Sequence, residues 1–180
     1  CIRDRNDKCK TGSYVWNFDN SGWGEARHNT LTQFIALAYD KNNNSETYKA
    51  WCAEQMKYIL GDNNGNICLV TGFGNNSVKY PHHRAASVYK DDNSKYAHTL
   101  VGALAGGPGN ADFSNYPDNV SNYTQNEVSI DYNAGLVAAA AGLYDVYGTG
   151  ITYSNVSKKA KMAEPDAQSF DSVSYTHLTL

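Results

Sequence analysis

Tyr116-Pro117-Asp118-Asn119-Val120-Ser121-Asn122-Tyr123-Thr124-Gln125-Asn126-Glu127-Val128-Ser129-Ile130-Asp131-Tyr132-Asn133-Ala134 sets three carboxylates among tyrosines and asparagines, then runs straight into an alanine-rich apolar segment. The end of this stretch reads as the start of a helix from about Asp131 to Tyr147, packing Ala134, Val137, Ala138, Ala141, Leu143 and Tyr144 and stopping at Gly148. The part before it reads as a loop with chemistry. A carboxyl kept protonated can hand a proton to a leaving sugar oxygen, while aromatic and amide groups hold pyranose rings and hydroxyls.

Working outward, the periodicity predicts further helices. Around Asn29 to Tyr39, Leu31, Phe34, Ile35 and Ala38 follow the i, i+3, i+4, i+7 rule and are expected to be the buried face. A second helix is expected from about Thr47 to Leu60, with Tyr48, Trp51, Cys52, Gln55, Met56 and Ile59 as its stripe, Ser45 as N-cap and Gly61 as C-cap. A third, shorter one is placed near Tyr96 to Ala105, ended by Gly106-Gly107-Pro108-Gly109. Strand signal is sparse, Ile67-Cys68-Leu69-Val70 being the best candidate. No internal repeat or heptad is visible. The long Asn- and Gly-rich connections do not suit a compact bundle and are where function is expected.

Composition excludes several classes. With 15 basic and 18 acidic residues the net charge is -3, so no basic patch argues for nucleic acid and no cationic face for a membrane. No apolar stretch approaches the ~20 residues of a membrane-spanning helix, and the start carries neither a charged n-region nor an apolar h-region. The ends look foreign. Cys1-Ile2-Arg3-Asp4 can be encoded TGT-ATA-AGA-GAC, whose reverse complement reads as Val173-Ser174-Tyr175-Thr176. Both ends resemble translated sequencing-adapter sequence. Residues 1–5 and 173–180 are therefore expected to be non-native extensions, with 6–150 as the catalytic-type region and 151–172 as a tail or linker. That leaves Cys9, Cys52 and Cys68, with no CxxC and no zinc-ligand spacing; Cys52 is expected in the core.

Three loop clusters converge. Gly61-Asp62-Asn63 and Val70-Thr71-Gly72-Phe73-Gly74-Asn75-Asn76 lead to Tyr80-Pro81-His82-His83-Arg84; after the Gly106–Gly109 loop comes the Asp118 to Glu127 run. The Gly-x-Asn then Pro-His-x-Arg arrangement, and Tyr-x-Asp-x4-Tyr-x3-Glu-x-Ser-x3-Asn-Ala, resemble the two signature regions of the glycoside hydrolase family 9 cellulases, in order and spacing. The likeness covers about residues 11–147.

The resemblance implies an all-α fold, the C-terminal portion of an incomplete (α/α)6 toroid with long loops, and hydrolysis of β-1,4-glucan with inversion. By motif position Glu127 would be the general acid and Asp118 a supporting carboxylate. His82 and Arg84 would line the cleft and bind glucosyl hydroxyls, with Tyr123 as a substrate-binding residue. The family's base is an aspartate in an Asp-Ala-Gly-Asp-type motif, which this chain lacks, so the chain alone is expected not to turn over. The resemblance also implies secretion and a cellulose-like partner. It implies no required cofactor, and leaves room for a structural calcium ion to which no residue here is assigned.

The residues themselves leave alternatives open. A helix N-terminus near Glu127 stabilises its carboxylate and opposes an acid's role, so Asp118 or Asp131 nearby, or desolvation under tyrosines, must push the other way. By residue type alone, Glu127 with Asn126 reads as a helix-start device and Asp131 as a cap; the two-motif context favours the acid. Adjacent His82 and His83 admit zinc, but neighbours on an extended chain point to opposite sides, which favours one inward histidine, His82, and one structural one. Arg84 is either a fork for vicinal hydroxyls or half of a salt bridge. Among the 14 tyrosines and 3 tryptophans, Tyr116, Tyr123 or Trp23 are candidate stacking platforms. Asp40–Asn44 and Asp62–Asn66 begin like calcium loops but lack the Gly and Glu an EF-hand needs, and read as turns. Asn43, Asn75, Asn119, Asn122 and Asn155 fit the glycosylation sequon. The rival readings are a non-catalytic carbohydrate-binding protein and a different (α/α)6 glycan hydrolase.

Overall fold

The computed structural model describes residues 14–16, 21–87 and 92–149. The expected extensions at 1–5 and 173–180, the tail at 151–172, Cys9 and Asn155 lie outside them. The elements run α1 (Glu25–Asn43), α2 (Lys49–Ile59), a short 3-10 turn (Asn93–Lys95), α3 (Tyr123–Asn126) and α4 (Ile130–Tyr147). Among the described residues there is no strand, only isolated bridges such as Val70 to Leu104, Ala105 to Val128 and His82 to Glu127. No described helix is long and apolar enough to cross a membrane.

α2 follows its sequence stripe. Trp51, Cys52, Gln55, Met56 and Ile59 are buried, and Tyr48 packs at the edge. Its start differs from expectation. Tyr48, not Ser45, is the N-cap, and its backbone N–H donates to the Asp40 carboxylate at 2.7 Å, so α1 caps α2 from across the hairpin. Leu60, not Gly61, is the C-cap, and Gly61 follows it: its N–H reaches Tyr58 O, and that of Asp62 reaches Lys57 O, in a paired closing motif.

α1 is longer than expected and buries the opposite face. Leu31, Phe34 and Ile35 are exposed, whereas Ala26, Asn29, Thr30, Gln33, Ala36, Leu37 and Asp40 are buried. The reason is a polar seam toward α2. Asn29 Nδ2 donates to Val15 O and to Gln55 Oε1, Gln33 Nε2 donates to Asn29 Oδ1, and Val15 N donates to Gln55 Oε1. Each such bond contributes about 1 kcal/mol net, but leaving one of these buried amides unpaired costs about 1–3 kcal/mol. The seam thus fixes which side of α1 faces inward.

α4 also turns away from its expected face. Ala134, Val137, Ala141 and Tyr144 are exposed, and Leu143 alone of that face packs against a core cluster. Tyr132, Gly135 and Ala139 are buried instead. A Cβ at Gly135 would meet Thr30 Oγ1 at 2.7 Å and Leu31 N at 3.0 Å, and one at Gly142 would meet Leu37 Cδ1 at 3.0 Å. Small residues therefore let α4 lie close alongside α1. The two run in the same direction, with Arg27 paired to Asp131 near one end and Lys41 to Asp145 near the other.

The helix expected at Tyr96 to Ala105 does not form. Tyr96 bridges Ser87, while Leu104 and Ala105 bridge Val70 and Val128. Thr71 organises the turn between: its hydroxyl donates to Leu100 O and accepts from Ala103 N. Leu104 and Ala105 are fully buried with Cys68, Leu69, Val70 and Val78, so their apolar character reflects a core crossing rather than a helix face. Cys68 and Val70 sit in bridges without building the strand expected at Ile67 to Val70. Cys52 is buried, as expected of a core residue.

The reversal of faces is measurable. Gly135→Val is expected to lower the unfolding free energy of the chain by about 1–3 kcal/mol through overpacking, while the exposed Ala140→Gln changes it by no more than about 0.5 kcal/mol, both read from urea denaturation.

Candidate active site

Glu127 follows the four-residue α3 and is held in extended geometry, φ -62° and ψ 146°. Its backbone is pinned from both sides. Gly106 N donates to Glu127 O at 2.9 Å, and His82 N donates to the carbonyl of the preceding Asn126 at 2.7 Å. The side chain reaches a cavity of about 400 Å³ lined by Ser21, Trp23, Arg27, Glu127, Ser129, Asp131 and Tyr132. There Glu127 Oε2 accepts from Trp23 Nε1 at 2.9 Å and from the Tyr132 hydroxyl at 3.3 Å.

Trp23 owes its place to a glycine. Gly24 precedes α1 with φ +63°, and a Cβ there would lie 2.4 Å from the Tyr132 hydroxyl oxygen. Only a residue without a side chain fits between the two donors to Glu127. Gly24 N donates to Thr124 O and Ala26 N to Gly106 O, which ties the start of α1 to both neighbouring loops.

An aromatic wall continues from this point. The Trp23 and Tyr123 rings lie 5.2 Å apart, and the Tyr123 and His82 rings 6.1 Å apart. Tyr123 is 49% exposed and Trp23 38%, so both present area to a ligand. Tyr116, the third candidate platform, is instead packed against the core, its hydroxyl contacting Gln125 O and Asn126 Oδ1.

The three carboxylates of the opening stretch have separate surroundings. Asp118 accepts from Lys79 N at 2.9 Å and Tyr80 N at 3.0 Å, so it holds the chain entering the His82 turn and does not line the cavity. Asp131 lines the cavity with Glu127 but is bonded to the Ser129 hydroxyl and paired with Arg27. The Ser129 hydroxyl, then Arg27, hold its carboxyl below the usual range, which keeps Asp131 an anion. Tyr132 is buried, with Arg27 stacked 5.0 Å from its ring centre. Burial, and the Glu127 charge beside it, push its phenol up to about 12, so it remains a donor.

His82 and His83 are held by different partners, and neither lines the cavity beside Glu127. His82 Nδ1 lies 2.6 Å from Val120 O. A carbonyl only accepts, so Nδ1 carries the proton and Nε2 is left for a ligand. His83 Nδ1 accepts from Ala86 N at 3.3 Å and closes the following turn. Arg84 is exposed and makes no hydrogen bond or ion pair among the described residues. No group of three or more His, Cys, Asp or Glu side chains gathers as a metal-ligand set among them.

Arg27 and Tyr132 escaped the sequence reading. The signal that could have found them is spacing: Arg27 stands one helical turn after Trp23, and Tyr132 is five residues past Glu127.

Comparison with known proteins finds relatives across most of the described chain. The family model of glycosyl hydrolase family 9 matches residues 1–140. Endoglucanase A of Bacillus pumilus is 38% identical over 136 residues, covering 71% of this chain and 20% of that protein. Endoglucanase B of Cellulomonas fimi is 40% identical over 134 residues, covering 70% and 13%. Among solved structures, the catalytic domain of Clostridium thermocellum CelT aligns with TM-score 0.69 at 47% identity, covering 77% of this chain and 28% of that one. The cellulase Cel9M of C. cellulolyticum in complex with cellobiose aligns with TM-score 0.69 at 34% identity, covering 80% and 33%. The chain thus spans a fifth or less of these curated relatives.

Two outcomes test the geometry. Gly24→Ala is expected to cost about 1–2 kcal/mol from left-handed strain alone and to move the Trp23 indole N–H resonance as its bond to Glu127 is lost. Burial, and then neighbouring His82, push the His83 imidazole below its usual range. Its folded form therefore binds protons less readily than the unfolded chain. The stability it contributes is present above about pH 6.5 and lost as pH falls. The urea midpoint of His83→Asn is expected to fall less steeply than that of the parent between about pH 7 and pH 5.5.

Proposed function

The chain belongs to glycosyl hydrolase family 9, and from that premise we propose that it supplies the proton-donating side of a cellulase-type site that cleaves β-1,4-glucosidic bonds with inversion. Its helices are part of an (α/α)6 toroid, as in the solved members of the family. The observation that carries the reading is the place of Glu127 at the wall of a cavity, with Trp23 and Tyr132 both on Oε2 and Oε1 left without a partner among the described residues.

With Oε2 accepting twice, the acid proton of Glu127 sits on Oε1 and is handed to the leaving glycosidic oxygen. Asp131 is unsuited to that step, because its bonds to Ser129 and Arg27 keep it ionised. Trp23 and Tyr123 offer faces to the C–H surface of glucosyl rings. His82 Nε2 accepts from a sugar hydroxyl, and the exposed Arg84 guanidinium donates to others. Asp118 supports from behind, through the backbone it holds. Inversion also requires a carboxylate that activates water on the opposite face of the sugar. In this reading that base is an aspartate outside this chain, and the chain alone does not turn over.

The substrate class follows from the site and its relatives. Solved members are described in complex with cellobiose, cellotriose and cellotetraose, and a linear β-1,4-glucan suits a line of stacking rings beside one acid. Such a polymer is met outside the cell, where this protein would act. In a domain that includes the base, Glu127→Gln is expected to lower kcat by about 10²–10⁴-fold while cellotetraose affinity changes little. Near-normal turnover by that variant would reject the acid role.

A further inference from the structure

Asn126, beside the acid, is fully buried, yet nothing in the proton-transfer step uses it. Its side chain is saturated. The two N–H groups of Nδ2 are shared among Tyr80 O at 2.9 Å, Asn119 O at 3.1 Å and Asp118 Oδ1 at 3.3 Å, and Oδ1 accepts from the Tyr116 hydroxyl. These partners belong to the two segments that hold the His82 imidazole. Tyr80 leads directly into Pro81 and His82, whose N–H donates to the Asn126 carbonyl. Asn119 precedes Val120, whose carbonyl takes the His82 Nδ1 proton. One amide therefore fastens both the backbone and the ring of His82, and the next residue along its own chain is Glu127.

We propose that Asn126 is the positioning residue of this site, setting the His82 imidazole and its Nε2 lone pair at a fixed place relative to the Glu127 carboxyl. The proposal rests on the reading of Glu127 as the acid and of His82 as a sugar-binding group. Asp118 is the other half of the device: it accepts from the Asn126 amide and from the Tyr80 N–H through the same oxygen. No other residue type fills position 126 equally. Aspartate matches the shape but brings no donors and sets a second carboxylate against Asp118. Leucine fills the volume and leaves the carbonyls of Tyr80 and Asn119 unpaired.

The test reads the imidazole directly, by nitrogen-detected NMR of the full chain. The unmodified chain should show His82 as the Nδ1–H tautomer, and Asn126→Asp should lose that single tautomer while the His98 ring is unchanged. Cellotetraose affinity should weaken about tenfold in the same variant, the equivalent of one lost buried bond. A variant that keeps the His82 tautomer overturns the proposal. Should Asn126→Asp fail to fold, hydrogen exchange in the unmodified chain decides. Asn126 side-chain amide protons that exchange as slowly as the His82 ring proton support the device. Fast exchange of the amide beside a protected ring overturns it. If the tautomer is lost on substitution but neither chain binds the sugar, positioning stands and the assigned function falls.

Discussion

Buried peptide groups that no helix ladder serves must find partners elsewhere, and meeting that demand organises this protein. Asparagine does most of the work. Asn63 donates to Tyr58 O and Ile67 O and accepts from Gly65 N and Ile67 N, closing the turn after α2. Asn133 donates to Gly102 O and accepts from Leu104 N, fastening α4 to the buried crossing. Asn93 joins Asp118 O to Val120 N, and Asn126 completes the set beside Glu127. Each is a side chain standing in for a missing strand. The loops can then cross the core without a sheet, and they cross it at the site.

The same accounting explains why α1 faces as it does. An apolar stripe and a polar stripe compete for the interior, and transfer area alone favours the apolar one. Asn29, Gln33 and Gln55, however, are joined to one another and to the Val15 backbone by a chain of buried hydrogen bonds. Exposing them would break several bonds at once. The small residues of α4 reinforce the outcome, because Gly135 and Gly142 permit approach along the one side of α1 where Thr30 and Leu37 stand. Leu31, Phe34 and Ile35 are left on the opposite side.

At the site, the three carboxylates of the opening stretch acquire three different surroundings from their partners. Two backbone N–H groups occupy Asp118, a hydroxyl and a guanidinium occupy Asp131, and two neutral donors share one oxygen of Glu127. Only the last leaves an oxygen without a partner among the described residues. The arrangement needs Gly24, since a side chain there would displace the Tyr132 hydroxyl. Trp23, Tyr123 and His82 come from three separate segments, and the Asn126 and Gly106 contacts bring those segments together.

The amino-acid sequence alone was enough for the family, the all-α class, the stripe of α2 and the ends of α4 to within a residue. Those are local signals: a helical period, a glycine stop, two gapped motifs. It misjudged the buried faces of α1 and α4, because period tells that a helix has an apolar side but not which neighbour it meets. It also read Tyr96 to Ala105 as a helix, because an apolar run carries no mark of the Thr71 turn or the bridges that hold it extended. Only the tertiary structure decided that Asp118 faces the backbone, that Arg27 and Tyr132 join Glu127, and that Asn126 fastens the histidine. Apart from Tyr132, five residues past Glu127, those assignments depend on partners tens of residues away, and the partner of a polar group is a property of the assembled fold rather than of its neighbours along the chain.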